Sequence, residues 1–316
     1  MKWLVLTIGL ALAAAIPAEA QDYPSRPLRI IVPFGPGTAT DVTARVMSNE
    51  LSVRTGQPVV IDNKAGAEGQ VGAQAAAAAP ADGYTLFVTT QTTQAMNQHI
   101  YKSLAYDPVK SFAPVTGMSL GAQIVMVRND LPVKSIADLI ALARAQPGKL
   151  SFGSGNGSSR GAGELFKIMA KVDLLSVPYK SQPQAIADPL GGRIDVIFSD
   201  FITGLPPVRD GRVRGIAVTS RERIAGLDYP TVSETLPGYE LWAWNACYVP
   251  AGTPPPIVDR LNVLVREAMA SEAYESLTRQ TMRQPFTSSP QGLAEFQARE
   301  VEKWDEIIRT ADMKEP

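Results

Sequence analysis

Two stretches of the chain carry residue types that could do chemistry. The first is Ile30-Ile31-Val32-Pro33-Phe34-Gly35-Pro36-Gly37-Thr38-Ala39-Thr40-Asp41, an apolar run that breaks into a Pro/Gly loop before a helix. Gly35 and Gly37 let the backbone come close to a guest, and the helix start beyond them offers unpaired N–H groups. That geometry suits an anion such as a carboxylate. The second stretch is Gly153-Ser154-Gly155-Asn156-Gly157-Ser158-Ser159-Arg160-Gly161. Its hydroxyls and amides, with those of Thr38, Thr89 and Thr90, can hold a carboxylate by hydrogen bonds. Arg160 is the sharpest single candidate, because a guanidinium grips a carboxylate in bidentate fashion.

Other chemistries fit these residues less well. Gly157-x-Ser159-x-Gly161 matches the G-x-S-x-G elbow of α/β hydrolases, which would make Ser159 a nucleophile. The hydrolase order is Ser, acid, His, whereas the one histidine, His99, precedes Ser159. A lysine such as Lys167 or Lys180 would then have to serve as base. Neither loop has nucleotide-binding spacing, since no Gly-Lys-Ser/Thr follows and Gly35-x-Gly37 lacks the third glycine. With one His and one Cys, no His- or Cys-based metal site can be assembled, and no cofactor is expected. Cys247, between Ala246 and Tyr248, reads as a buried small hydrophobe.

Positioning the two loops requires strands and helices in alternation. Leu28 to Val32 reads as a buried strand and Asp41 to Val53 as a helix, capped by Thr38 or Thr40. Short strands follow at Pro58 to Ile61 and Tyr84 to Val88, separated by an Ala-rich helix from Gln70 to Ala79. The pattern then repeats. Ser135 to Asp138 is a capping box for a helix through Ala145, and Leu150 to Gly153 opens the next strand. The second Gly/Ser loop leads to a helix carrying Leu165, Phe166 and Met169. Leu175 to Tyr179, Ile194 to Phe198 and Gly215 to Thr219 complete the second half. Such alternation predicts doubly wound parallel sheets, with both glycine loops at carboxyl ends of strands, where ligands bind. The C-terminal part is helical, and Leu293, Phe296, Trp304 and Ile308 form a core stripe.

Composition narrows the class. The net charge of −1 gives no electrostatic footprint for nucleic acid. Residues 1–20 have the form of a signal peptide: Lys2, an apolar run from Trp3 to Ile16, and Ala18-Glu19-Ala20 as a cleavage site. The mature protein would start near Gln21, leaving about 296 residues, enough for two packed domains.

The ordered set of short matches resembles the exported solute receptors of the tripartite tricarboxylate transporter family, the Bug receptors. It runs from Tyr23-Pro24-Ser25-Arg26-Pro27 through Ile31-Val32-Pro33-Phe34-x-Pro36-Gly37-x-x-x-Asp41, Gly56-Gln57-Pro58-Val59-Val60 and Asp82-Gly83-Tyr84-Thr85-Leu86. It continues with Pro147-Gly148-Lys149-Leu150, Gly163-Glu164-Leu165-Phe166, Val177-Pro178-Tyr179-Lys180, Ala217-Val218-Thr219-Ser220 and Pro250-Ala251-Gly252-Thr253-Pro254. The resemblance implies an α/β type II periplasmic binding-protein fold, two doubly wound α/β domains with the ligand cleft between them. Residues 21–123 and 226–316 would form domain 1 and residues 124–225 domain 2. It implies a monomeric periplasmic receptor that binds a small carboxylate, a dicarboxylate or aromatic acid, and delivers it to membrane permease subunits. Site roles carry over to Phe34, Gly35, Pro36, Gly37, Thr38 and Asp41, and to Ser154, Asn156, Gly157, Ser158 and Ser159; Tyr179 belongs to a matched motif. This chain has Gly35-Pro36-Gly37-Thr38 where the family has Pro-Pro-Gly-Gly, Arg160-Gly161 where a His-Leu is usual, and Ser199-Asp200 for an Asp-Asn pair. Arg160 and Thr38 would favour a doubly anionic guest, whereas Asp200 in the cleft would favour an ammonium or a hydroxyl. The alternatives are an exported serine hydrolase using Ser159 and a ligand-sensing module for a signalling partner.

Overall fold

The computed structural model describes residues 23–188 and 191–313. The expected signal segment and cleavage site lie outside the described residues. The first βαβ passage is β1 (Leu28–Val32), α1 (Ala39–Thr55), β2 (Val59–Asn63), α2 (Gln70–Ala77) and β3 (Thr85–Thr90). A π-helical turn, Thr92–Met96, runs into the short α3 (Asn97–Ile100). Next come β4 (Phe112–Gly121) and β5 (Gln123–Val127), then α4 (Ile136–Ala145). The second βαβ passage is β6 (Ser151–Ser154), α5 (Gly157–Ala170), β7 (Leu175–Pro178), α6 (Gln182–Ala187), β8 (Val196–Asp200), α7 (Phe201–Arg209) and β9 (Arg214–Val218). The chain ends with β10 (Ala243–Pro250), α8 (Pro255–Met269), α9 (Glu272–Gln280), β11 (Arg283–Pro285) and α10 (Pro290–Thr310).

These strands form two sheets, in the orders β11-β4-β10-β3-β1-β2 and β7-β6-β8-β5-β9. The expected parallel order holds inside β3-β1-β2 and β7-β6-β8. Each sheet also takes antiparallel strands that periodicity did not disclose. β10 pairs antiparallel with β3 and β4, and β5 pairs antiparallel with β8 and β9. Asn245 opposite Thr90 is one such pairing, and no local pattern encodes a partner so distant along the chain. The chain passes between sheets twice: from β4 to β5 across Ala122, and from β9 to β10 through residues 219–242.

One apolar core runs across both sheets, joining Phe87 and Phe112 of the first to Phe152 and Phe198 of the second. The Leu293, Trp304 and Ile308 stripe of α10 is fully buried in it, as the sequence pattern predicts. Trp304 packs over Gly161 of α5, where an added Cβ would lie 2.3 Å from the indole. Glycine is therefore required at that crossing. Cys247 is buried in a second apolar cluster, and desolvation raises its thiol pKa, which keeps it inert.

Candidate functional site

The two glycine loops meet across a cleft. Phe34, Thr38, Ala39 and Thr40 from the start of α1, with Thr90, face Gly155, Asn156, Lys180, Ser181, Gln182 and Asp200 around a pinched cavity of about 20 Å³. Next to it, a wider cavity of about 330 Å³ is lined by Pro33, Phe34, residues 65–69, Gly155, Asn156, Tyr179 and Lys180. The wider volume lies in the range of small-molecule sites, and the pinched one has room for little more than a water.

The first jaw is set by α1. Thr38 caps the helix: its Oγ1 accepts from the Asp41 N–H at 3.4 Å and donates to the Gly35 carbonyl at 2.8 Å. Gly37 sits at φ 78°, a left-handed conformation that suits glycine. Asp41 does not line either cavity. Its buried carboxylate accepts from Gly37 N–H, Arg45 Nε and Asn63 Nδ2, all at 2.9 Å. Burial pushes its pKa up, but these hydrogen bonds, with the charge of Arg45, outweigh burial and hold it below the usual aspartate value. Asp41 is thus the peg that fixes the loop. Asp41→Ala would leave Gly37 N–H without its acceptor and Asn63 Nδ2 with only the Phe34 carbonyl, and should cost about 1–3 kcal/mol. Denaturant midpoints compared for the two proteins check this. Because the folded pKa is depressed, the Asp41 contribution is present above the ordinary aspartate pKa and lost as pH falls through the lower folded value. An unchanged acid limb in the variant would remove the peg role.

The second jaw is the start of α5. Asn156 caps it, accepting from Ser159 N–H at 2.9 Å, while Ser159 Oγ accepts from Gly155 N–H at 3.1 Å and donates to the Asn156 carbonyl at 2.9 Å. Asn156 N–H donates in return to Ser159 Oγ at 3.3 Å, and this capping box accounts for Ser159, while close packing accounts for Gly157 and Gly161. Ser159 is fully buried and engaged in the cap, while His99 pairs with Asp305 and Lys167 with Glu164. A nucleophile needs an adjacent base, and neither residue supplies one here.

Several sequence-predicted residues turn away from the cleft. Ser158 accepts a hydrogen bond from Gln91, and Gly157 packs against Thr92 and Met96. Thr89 is fully buried and bonds Thr93 at 2.6 Å. Ser154 is buried at the end of β6, where its carbonyl accepts from Tyr179 N–H at 2.7 Å. Gly35, Pro36 and Gly37 shape the first loop without lining either cavity. Arg160 lies one turn into α5, and that offset aims it elsewhere: Nη1 is 3.7 Å from Glu68 Oε1, and Nη2 donates to the Met313 carbonyl at 3.4 Å. The sharpest sequence candidate for a ligand contact is therefore a tie between α5, the 65–69 loop and the C-terminus.

Phe34, Thr38, Thr90, Asn156, Tyr179 and Asp200 do line the cavities. The Tyr179 phenol donates to Asp188; burial and that acceptor raise its pKa to about 12, so it stays protonated. Asp200 caps α7, accepting from Thr203 N–H at 2.9 Å and Thr203 Oγ1 at 3.1 Å. Desolvation raises the Asp200 pKa, with the Thr203 N–H and the charge of Arg283 opposing. Sequence reasoning did not place Thr40, Lys180, Ser181, Gln182 or the 65–69 loop in the site. Lys180 closes the Val177-Pro178-Tyr179-Lys180 motif, and Gly66 and Gly69 bracket the loop, so both signals stood in the sequence. Among the residues lining the two cavities, Lys180 is the cation. With the starts of α1 and α5 it makes the cleft attractive to a carboxylate.

Comparison with known proteins agrees with this chemistry. The profile of the tripartite tricarboxylate transporter family receptor matches residues 43–313. Protein BugT of Bordetella pertussis is 32% identical over 322 residues, covering 99% of this chain and 99% of BugT. The structure of R. palustris Rpa4515 with adipate superimposes with a TM-score of 0.89 at 34% identity, covering 92% of this chain and 99% of that one. MatC from Rhodopseudomonas palustris, with bound malate, gives a TM-score of 0.84 at 28% identity, covering 90% and 100%.

Proposed function

The chain belongs to the tripartite tricarboxylate transporter receptor family, and from that premise we propose that it is a periplasmic receptor that closes on a small dicarboxylate and delivers it to membrane permease subunits. Receptors of this family bind solutes and are not enzymes. One observation carries the carboxylate reading. The starts of α1 and α5 and the Lys180 ammonium converge on adjoining cavities, and two relatives of the same fold hold adipate and malate. The protein acts as a monomer, exported by its first 20 residues. Residues 21–123 with 226–316 form one jaw and residues 124–225 the other, and closure turns them about the two passages between sheets. No helix among the described residues is long and apolar enough to cross a membrane.

Thermal unfolding of the mature protein against adipate, malate and benzene dicarboxylates tests the proposal. A ligand at a hundred times its dissociation constant stabilises by ~2.7 kcal/mol, a clear rise in melting temperature. If no carboxylate moved the transition, the ligand class would be wrong.

Asp200 gives the site a pH dependence. Its folded pKa is raised, so the proton it holds contributes stability at low pH, which is lost as pH rises through the elevated value. Protonated Asp200 can donate to a ligand carboxylate; ionised, it repels one. Affinity for adipate should therefore fall as pH rises through that value, and Asp200→Asn should flatten the profile. Titration calorimetry at constant ionic strength measures both slopes, and equal slopes would exclude Asp200 from ligand contact.

A further inference from the structure

A second cavity lies away from the cleft. It has a volume of about 810 Å³, more than either cleft cavity, and sits between the loop after β9, the residues leading into β10, and the α9–β11 corner. Ile224, Trp242, Met282 and Pro285 give it an apolar wall, and Arg221 and Arg283 add cationic groups. Among the other charges of the lining, the exposed Glu222 has no ion-pair partner among the described residues, and the rest are engaged. Arg223 is held by Glu234 at 2.8 and 2.7 Å, Arg279 lies 3.5 Å from Glu275, and Glu240 accepts from Trp242 Nε1 at 2.8 Å.

Arg283 is different. It is only 7% exposed, and all its hydrogen bonds go to uncharged oxygens: Nε to Ser119 Oγ at 2.8 Å, and Nη2 to Asn245 Oδ1 at 2.9 Å and the Ser119 carbonyl at 3.4 Å. Nη1 lies over Gly121, where a Cβ would come within 2.6 Å, and has no hydrogen-bond partner among the described residues. Asn245 Nδ2 beside it is buried and also unpartnered. Asp200 acts on Arg283 only at a distance, and no carboxylate lies within ion-pair distance of it among the described residues; a desolvated cation so placed is costly, and burial lowers the Arg283 pKa. Arg221, at the rim, has no ion pair or side-chain hydrogen bond among the described residues.

We propose that this groove is a second anion site, in which a monocarboxylate with an aromatic or short aliphatic body places its carboxylate on Arg283 and its body against Trp242, Met282 and Pro285. Arg221 draws the anion to the rim, and the Trp242 indole stacks on the body. The lining of this groove shares no residue with the cleft cavities, where Lys180 and the helix starts act.

Tryptophan fluorescence can report it, because Trp244 and Trp304 are fully buried while Trp242 lines the groove. With 4-nitrobenzoate as probe, the mature protein should show saturable quenching, displaced by benzoate. Trp242→Phe should remove that signal, and Lys180→Met, a cleft variant, should retain it. Arg283→Met should weaken binding by about tenfold or more, as expected for the loss of a charge-assisted hydrogen bond. Should Arg283→Met fail to fold, the exposed Arg221→Glu still decides, with an expected loss of about threefold or more. Quenching that never saturates, that survives both arginine variants, or that disappears in Lys180→Met and persists in Arg283→Met overturns the proposal.

Discussion

Gly155→Ala should abolish tight ligand binding and destabilise the fold by about 1–3 kcal/mol, the usual cost of overpacking. Gly155 lines both cleft cavities, and a Cβ there would lie 2.2 Å from Gln182 N and 2.3 Å from Gln182 Cα and the Ser181 carbonyl carbon. Those are backbone atoms, so no side-chain rotation relieves the clash. The start of α6 has to move, carrying Lys180, Ser181 and Gln182 with it. Gly155 N–H also donates to Ser159 Oγ and Gln182 Oε1, both at 3.1 Å, so the shift would disturb the α5 cap as well. Calorimetry with adipate and a melting curve on the same preparation separate the two effects. A variant that binds within about twofold of the parent would show that α6 tolerates displacement and that the cleft is held less tightly than its packing density implies.

Lys180→Met should weaken dicarboxylate binding by about tenfold at low ionic strength. A charge-assisted hydrogen bond contributes about 1.5–3 kcal/mol, and the exposure of Lys180 places it at the lower end through solvent screening. The deficit should shrink in high salt, because the screening length falls from about 10 Å at 0.1 M to about 3 Å at 1 M. Dissociation constants of parent and variant at two salt concentrations provide the check. Equal affinities at low salt would leave the carboxylate to the helix starts alone. Methionine keeps most of the aliphatic stem, so the comparison isolates the charge.

The divergent fates of Arg160 and Lys180 show where sequence reading reached its limit. Both are cations beside a glycine or serine loop, and residue type alone favoured Arg160. Helix geometry reversed the choice. Arg160 lies four residues past the Asn156 cap, where the turn directs it to Glu68 and Met313, whereas Lys180 precedes α6 at the end of a strand and faces the cavities. Asp41 illustrates the same limit, since its three hydrogen bonds join a loop, a helix and β2.

Periodicity and turn chemistry are local, so the sequence by itself placed the two βαβ passages and the α10 core stripe, and narrowed the cap of α1 to Thr38 or Thr40. It also placed both glycine loops at carboxyl ends of strands, and its ordered motifs carried the family. Local pattern could not encode the antiparallel β4, β5 and β10, whose partners lie far along the chain; the division into two domains came from the family resemblance and not from periodicity. Only the tertiary structure decided that Ser159 completes the Asn156 cap of α5, that Asp200 lines the cleft while Arg160 turns to Glu68 and Met313, and that Arg283 is buried with no ion-pair partner among the described residues. Each of those outcomes depends on the direction of a side chain relative to a distant element, which folding alone sets.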